Sequence, residues 1–136
     1  MSETTSSTVI DKVGRVAVPV RDQDRAIKSY VEKLGFELVG DTPYGDDSDY
    51  RWVEVAPPGG GTMLAIVPPR PGGPIGIETN IILTTPDIDQ AHAALRDKGV
   101  DVDAEVSRMG GPVPPLFWFR DQDANTLLLV EEPPAQ

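Results

Sequence analysis

Val20-Arg-Asp-Gln-Asp-Arg-Ala26 and Thr85-Pro-Asp-Ile-Asp-Gln-Ala91 decide the reading of this chain, because the second stretch repeats the first. Asp22, Asp24 and Ala26 recur as Asp87, Asp89 and Ala91, an offset of 65 residues. Self-similarity at a long period sets the architecture and is read before local structure. Downstream, Leu34-Gly35-Phe36-Glu37 matches Lys98-Gly99-Val100-Asp101 at an offset of 64, and Val53, Val55, Thr62 and Leu64 fall opposite Phe117, Phe119, Thr126 and Leu128 at the same offset. The chain reads as two copies of one module.

Each copy follows one grammar. Val13 to Val20, with Val16, Val18 and Val20 alternating, predicts a strand, and Asn80 to Thr84 is its counterpart. Asp22 and Asp87 then stand where a carboxylate can accept from the unpaired amides of a helix's first turn. Ala26, Ile27, Tyr30, Val31 and Leu34 recur at helical spacing and end at Gly35; Ile88, Ala91 and Leu95 repeat the plan and end at Gly99. Three strand-like runs follow each helix, 37–40, 50–56 and 62–67 in the first copy and 101–106, 116–120 and 126–131 in the second. The expected fold class is α+β: two βαβββ modules pairing into a curved sheet around a central trough, with the helices outside. Residues 1–8 and 133–136 read as flexible tails around a single domain, residues 9–132. Within it, module one spans 9–67, the Pro-rich linker with Pro71-Gly-Gly73 spans 68–74, and module two spans 75–132.

Composition removes several classes of function. The 136 residues hold no cysteine, which excludes disulfides, iron–sulfur clusters, thiolate zinc sites and cysteine nucleophiles. His92 is the only histidine, so a site built from several imidazoles cannot exist within one chain. It falls inside the second helical stretch, where it reads as a packing residue. Twelve basic against twenty-two acidic residues leave a net charge of −10, which repels phosphate backbones and anionic lipid, so neither nucleic acid nor membrane is an expected partner. No apolar run reaches the roughly 20 residues of a membrane span, and the Ser/Thr-rich start is unlike a signal peptide; a cytoplasmic location is expected.

A strand into Asp-x-Asp-x-Ala, a helix ending in Leu-Gly-Phe or Lys-Gly-Val, and the final Phe119-x-Asp121-x-Asp123-x-Asn125 hairpin resemble the vicinal oxygen chelate superfamily. That superfamily includes glyoxalase I, bleomycin-resistance proteins, fosfomycin-resistance enzymes and extradiol dioxygenases. The resemblance implies a pocket between paired modules, commonly in a homodimer, and in the enzymes a divalent metal held at four strand positions by His, Glu or Gln. Carried over residue by residue, those positions fall on Arg15 and Asn80, each seven residues before a capping Asp, on Leu128, and on Leu64, 64 residues before it. A guanidinium, a carboxamide and two aliphatic groups cannot chelate a cation, so no cofactor is expected.

The candidate pocket is then Arg15, Leu64, Asn80 and Leu128 with nearby Trp52, Glu54, Phe117 and Trp118. Arg15 has two readings, an ion pair with Glu54 or a fork of donors for a ligand oxygen. Alternation sets Trp52 and Glu54 on the face opposite Val53 and Val55, and leaves open which face lines the trough. The acidic run Asp46-Asp-Ser-Asp49 reads as a solvated loop or as a lid favouring a cationic guest. Gly59-Gly-Gly61 reads as a turn, and Asp121, Asp123 and Asn125 lack the Gly and bidentate Glu of a calcium loop.

Three functions remain. The first is a metal-independent binding protein that sequesters a small organic molecule, an antibiotic or toxic metabolite, as drug-resistance members of the superfamily do. The alternative is a divalent-metal lyase, isomerase or dioxygenase with atypical ligands such as Glu54 or the Asp46–Asp49 loop. The third is a subunit whose pocket is vestigial. The missing chelating set leans the reading away from an enzyme.

Overall fold

Both helices start where a carboxylate stands in for the missing turn. In the computed structural model, which describes residues 9–44 and 50–132, Asp22 accepts from the Arg25 amide at 3.1 Å and Asp87 from the Gln90 amide at 3.1 Å. Helix α1 spans Gln23–Lys28 and α2 spans Ile88–Asp97. Beyond Lys28 the first helix widens into a π turn over Ser29–Lys33, closed by Leu34 N–H on Ser29 O and Phe36 N–H on Tyr30 O. Gly35 and Gly99 end the two helical segments at φ +81° and +83°, conformations a Cβ would strain.

The first copy supplies β1 (Arg15–Pro19), β2 (Glu37–Pro43), β3 (Arg51–Ala56) and β4 (Met63–Val67). The second supplies β5 (Glu78–Thr85), β6 (Asp101–Val102), β7 (Leu116–Arg120) and β8 (Thr126–Glu131). They form two four-stranded sheets, ordered β1-β4-β3-β2 and β5-β8-β7-β6, with β1·β4 and β5·β8 parallel and the other pairs antiparallel. This is the expected α+β arrangement, each sheet open rather than closed into a barrel. One strand falls short: β6 ends at Val102 instead of Val106. The Asp103 carboxylate takes the Trp118 amide at 3.1 Å and Arg120 Nη1 at 2.8 Å, and the chain leaves the ladder there until Ser107 bridges Leu116.

Alternation gives each sheet one buried face. Val18, Val20, Val53, Val55, Leu64 and Ile66 pack under α1, and Phe117, Phe119, Leu127 and Leu129 pack under α2 with Ile88. Gln23 pins α1 to its sheet, its amide donating to Arg51 O and Ile66 O and accepting from the Arg51 amide. His92, buried in α2, bonds Asp103 O at 2.7 Å through Nε2 and meets the Phe117 ring edge-on at 4.9 Å.

The two copies are joined at one polar plug, the β7–β8 turn. Asn125, with no exposed surface, donates to Pro19 O at 2.9 Å and to Asp121 at 3.0 Å while its oxygen accepts the Gly76 and Ile77 amides. Asp121 in turn accepts the Tyr30 hydroxyl at 2.7 Å. Burial first, and the neighbouring Asp121 carboxylate second, raise the Tyr30 pKa well above its ordinary value of 10.0, so the hydroxyl stays a donor.

The open sheet faces as a candidate binding site

The faces turned away from the helices carry the candidate chemistry. On the first sheet this face presents Arg15, Ala17, Trp52, Glu54 and Ala65, since their neighbours Val16, Val18, Val53, Val55, Leu64 and Ile66 point into the core. Glu54, 8% exposed, is ion-paired to the Arg15 guanidinium, so the reading of Arg15 as one half of an ion pair describes its state here. Ala17, Ala65 and Glu54 lie side by side in register, a shelf of small groups beside the half-exposed Trp52.

The second sheet's open face is bulkier. Trp118 registers with Leu128, and Leu128 with Ile82, placing three large apolar groups in a row across β7, β8 and β5. Asn80 stands beside them through a backbone irregularity. Pairing of β5 with β8 shifts between Glu78 and Ile82, and Asn80 sits at φ +60°. The Thr79 hydroxyl fills the gap by donating to Thr126 O at 2.8 Å and accepting the Ile81 amide at 3.1 Å. Asparagine tolerates this left-handed conformation better than most side chains. A pocket of about 210 Å³ results, lined by Glu78, Asn80, Ile82, Trp118, Thr126 and Leu128.

Comparison with known proteins agrees with this architecture. The family model for the Glyoxalase/Bleomycin resistance protein/Dioxygenase superfamily matches residues 12–129. The chain belongs to that superfamily. It is 33% identical over 124 residues to an uncharacterised protein, YetH, of Bacillus subtilis (strain 168), covering 90% of this chain and all of that one. A superfamily member from Sphaerobacter thermophilus DSM 20745 superposes with a TM-score of 0.83 at 36% identity, covering 92% and 100% of the two chains. TnmS3 of Streptomyces sp. CB03234, described as an antibiotic binding protein, superposes with a TM-score of 0.77 at 36% identity over 91% and 98%.

Membership raises the question of the superfamily's metal, and the register answers it on the donors present. Val53 pairs with Ile66 where Phe117 pairs with Leu129, and Val55 with Leu64 where Phe119 pairs with Leu127. The offset between copies is therefore 64 on β3 and β7 but 63 on β4 and β8, because the β3–β4 hairpin is one residue longer. Leu64 corresponds to Leu127, and both are core; the open-face partner of Leu128 is Ala65. Shifting one position along a strand reverses the face, which is why Leu64 lies in the core and not on the open face. Phe117 is likewise in the core, fully buried against His92, while its neighbour Trp118 faces outward. The four positions on the open faces are Arg15, Ala65, Asn80 and Leu128, and they fit a divalent ion no better than the set read from the sequence. Among the described residues no three His, Asp or Glu side chains converge. The acidic run at 46–49 lies outside the described residues.

The sequence reading groups eight residues in one pocket; the structure places Arg15, Glu54 and Trp52 on one open face, Asn80, Leu128 and Trp118 on the other, and Leu64 and Phe117 in the core. Sequence reasoning missed Ile82, which is 60% exposed beside Trp118. Its signal was present: Ile82 is two residues from Asn80, on the same face of a strand.

Proposed function

We propose that this chain binds and sequesters a small, largely apolar organic molecule with a flat ring system, an antibiotic or a toxic metabolite, without using a metal. The observation that carries the reading is the row Trp118–Leu128–Ile82 with the Asn80 amide at its edge. Apolar groups supply affinity by burial and the amide fixes orientation, the usual division of labour in a small-molecule pocket. The antibiotic binding protein TnmS3, 36% identical, supports it. The working unit in this reading is a homodimer. The isolated chain leaves Trp52 41%, Trp118 38% and Ile82 60% exposed on its open faces, and a second copy would cover that apolar surface and close the trough. Residues 9–132 act as one domain, and the setting is cytoplasmic. No helix among the described residues is long and apolar enough to cross a membrane.

Tryptophan fluorescence tests this directly, because both tryptophans stand on the open faces. Titration with a panel of flat aromatic antibiotics should quench emission with the same affinity before and after chelator treatment. Trp118→Ala should weaken that binding by about 30-fold, a loss in the range of a buried aromatic anchor. Binding that vanishes with EDTA and returns with a stoichiometric divalent ion would refute the metal-free reading.

A further inference from the structure

A second cleft, of about 740 Å³, opens between the two copies; neither tryptophan lines it, and Ile82 is the one residue among the described ones that borders both this cleft and the open-face pocket. Its floor is Leu34 and Phe36 from the first copy and Leu95, Phe119 and Leu129 from the second, with the β3–β4 hairpin as one wall. Its volume lies within the range of small-molecule sites, roughly 300–1,000 Å³. Its charge is what sets it apart. The chain carries a net −10, yet no Asp or Glu lines this cleft among the described residues, and Lys33 and Lys98 both do. Neither lysine has an ion-pair partner among the described residues, a state they share with Lys12, Lys28, Arg25, Arg70 and Arg96, so both ammonium groups are free to meet a ligand.

We propose that this cleft is a separate binding site for an anionic amphiphile: a carboxylate, sulfate or sulfonate head on an apolar body. The floor removes the body from water. The two ammonium groups, compact charges on flexible stems, reach over apolar surface to the head. Each lysine also stands at a helical C-terminus, where a cation is favourable for the helix alone. That accounts for one lysine per helix. It does not account for a wall free of acid in a chain where acids outnumber bases by twenty-two to twelve. A cation or a neutral alcohol of the same length gains the burial but not the head contact, so the site discriminates by charge.

The test uses the intact protein and the probe 8-anilinonaphthalene-1-sulfonate, whose emission rises on transfer to an apolar site. Decanoate should displace it, and decyltrimethylammonium and decanol should do so at least about tenfold less well. The K33Q/K98Q double variant should weaken decanoate by about tenfold, two partly exposed ion pairs' worth, with only the small drop in melting temperature that loss of two helix C-terminal cations brings. Ala94→Trp, which fills the cleft from exposed α2 surface, should abolish displacement and leave antibiotic quenching intact, whereas Trp118→Ala should do the reverse. The site in the open faces and this one therefore fail separately. Equal displacement by all three decyl compounds, an unchanged double variant, or loss of probe binding in Trp118→Ala would overturn the proposal. So would a sedimentation shift in the double variant with decanoate binding intact, which would make the cleft a seat for a second copy.

Discussion

The two copies share their strand order and their helix caps but differ in what they do with the surface left over. The first copy's open face is small and charged, Ala17, Ala65 and the Arg15–Glu54 pair beside Trp52; the second's is bulky and apolar, Trp118, Leu128 and Ile82. Their hairpins differ in the same way. The first, through Pro57 to Gly61, is a glycine-rich loop bordering the cleft, while the second, Asp121 to Asn125, is a knot of side-chain hydrogen bonds plugged into the opposite copy. Duplication preserved the framework, whose core and capping requirements are the same in both halves. The faces that no helix covers were free to diverge, one into a shelf and the other into a wall.

The hairpins give the largest expected contrast. Asn125→Ala removes bonds to Pro19 O, Asp121, and the Gly76 and Ile77 amides from a side chain with no solvent access, and leaves two part-buried donors and a part-buried acceptor unpaired. A loss of about 4 kcal/mol is expected, since each stranded group costs roughly 1–3 kcal/mol. Pro58→Ala in the other hairpin, at an exposed position, should change stability by less than about 0.5 kcal/mol. Urea unfolding of both variants measures the difference. Equal effects would mean the plug does not hold the copies together.

Register parity gives the next. Leu64→Ala should lower stability by about 3 kcal/mol, within the usual cost of a buried leucine, and leave ligand affinity unchanged. Leu128→Ala, half-buried on the open face, should cost about 1 kcal/mol of stability and weaken binding about fivefold. If Leu64→Ala instead impairs binding at unchanged stability, the assignment of faces is wrong.

Leu64 also marks where the sequence stops being legible. The repeat, the two carboxylate caps and the strand alternation are local properties, and they lead to the α+β architecture directly. The trough's lining depends on parity, and parity depends on the length of a glycine-rich loop that no local preference fixes. Carrying one offset across that loop placed Leu64 on the wrong face, and the same ambiguity put Phe117 beside Trp118 instead of behind it. Arg15 and Glu54 were legible as a pair because a charged group at a strand position needs a partner within the sheet. Asn80 was legible as a position but not as a conformation, since its positive φ arises from a pairing irregularity that only the assembled sheet reveals. The 740 Å³ cleft had no signal at all: its walls come from both copies, and none of its residues is unusual alone.

The smallest effect separates the plug's two buried polar members by pH. Tyr30→Phe removes one donor from Asp121, whose carboxylate keeps Asn125 Nδ2 and the amides of Asp123 and Asn125, so the loss near neutral pH should be about 1 kcal/mol, well below that of Asn125→Ala. The alkaline limb tells more. Burial and Asp121 keep the Tyr30 proton in the folded protein at pH values where the unfolded chain's tyrosines, near 10.0, have released theirs. Above that value the unfolded state binds fewer protons than the folded one, so stability falls as pH rises, until the folded group also ionises. The contribution is fully present below pH 10 and is lost through the folded-state pKa. Chemical unfolding from pH 8 to 11 should therefore show a shallower alkaline decline in Tyr30→Phe than in the parent chain, and the two curves should converge at the high end. Parallel curves across that window would mean that the hydroxyl ionises as freely in the fold as out of it, and that the joint between the copies does not depend on its proton.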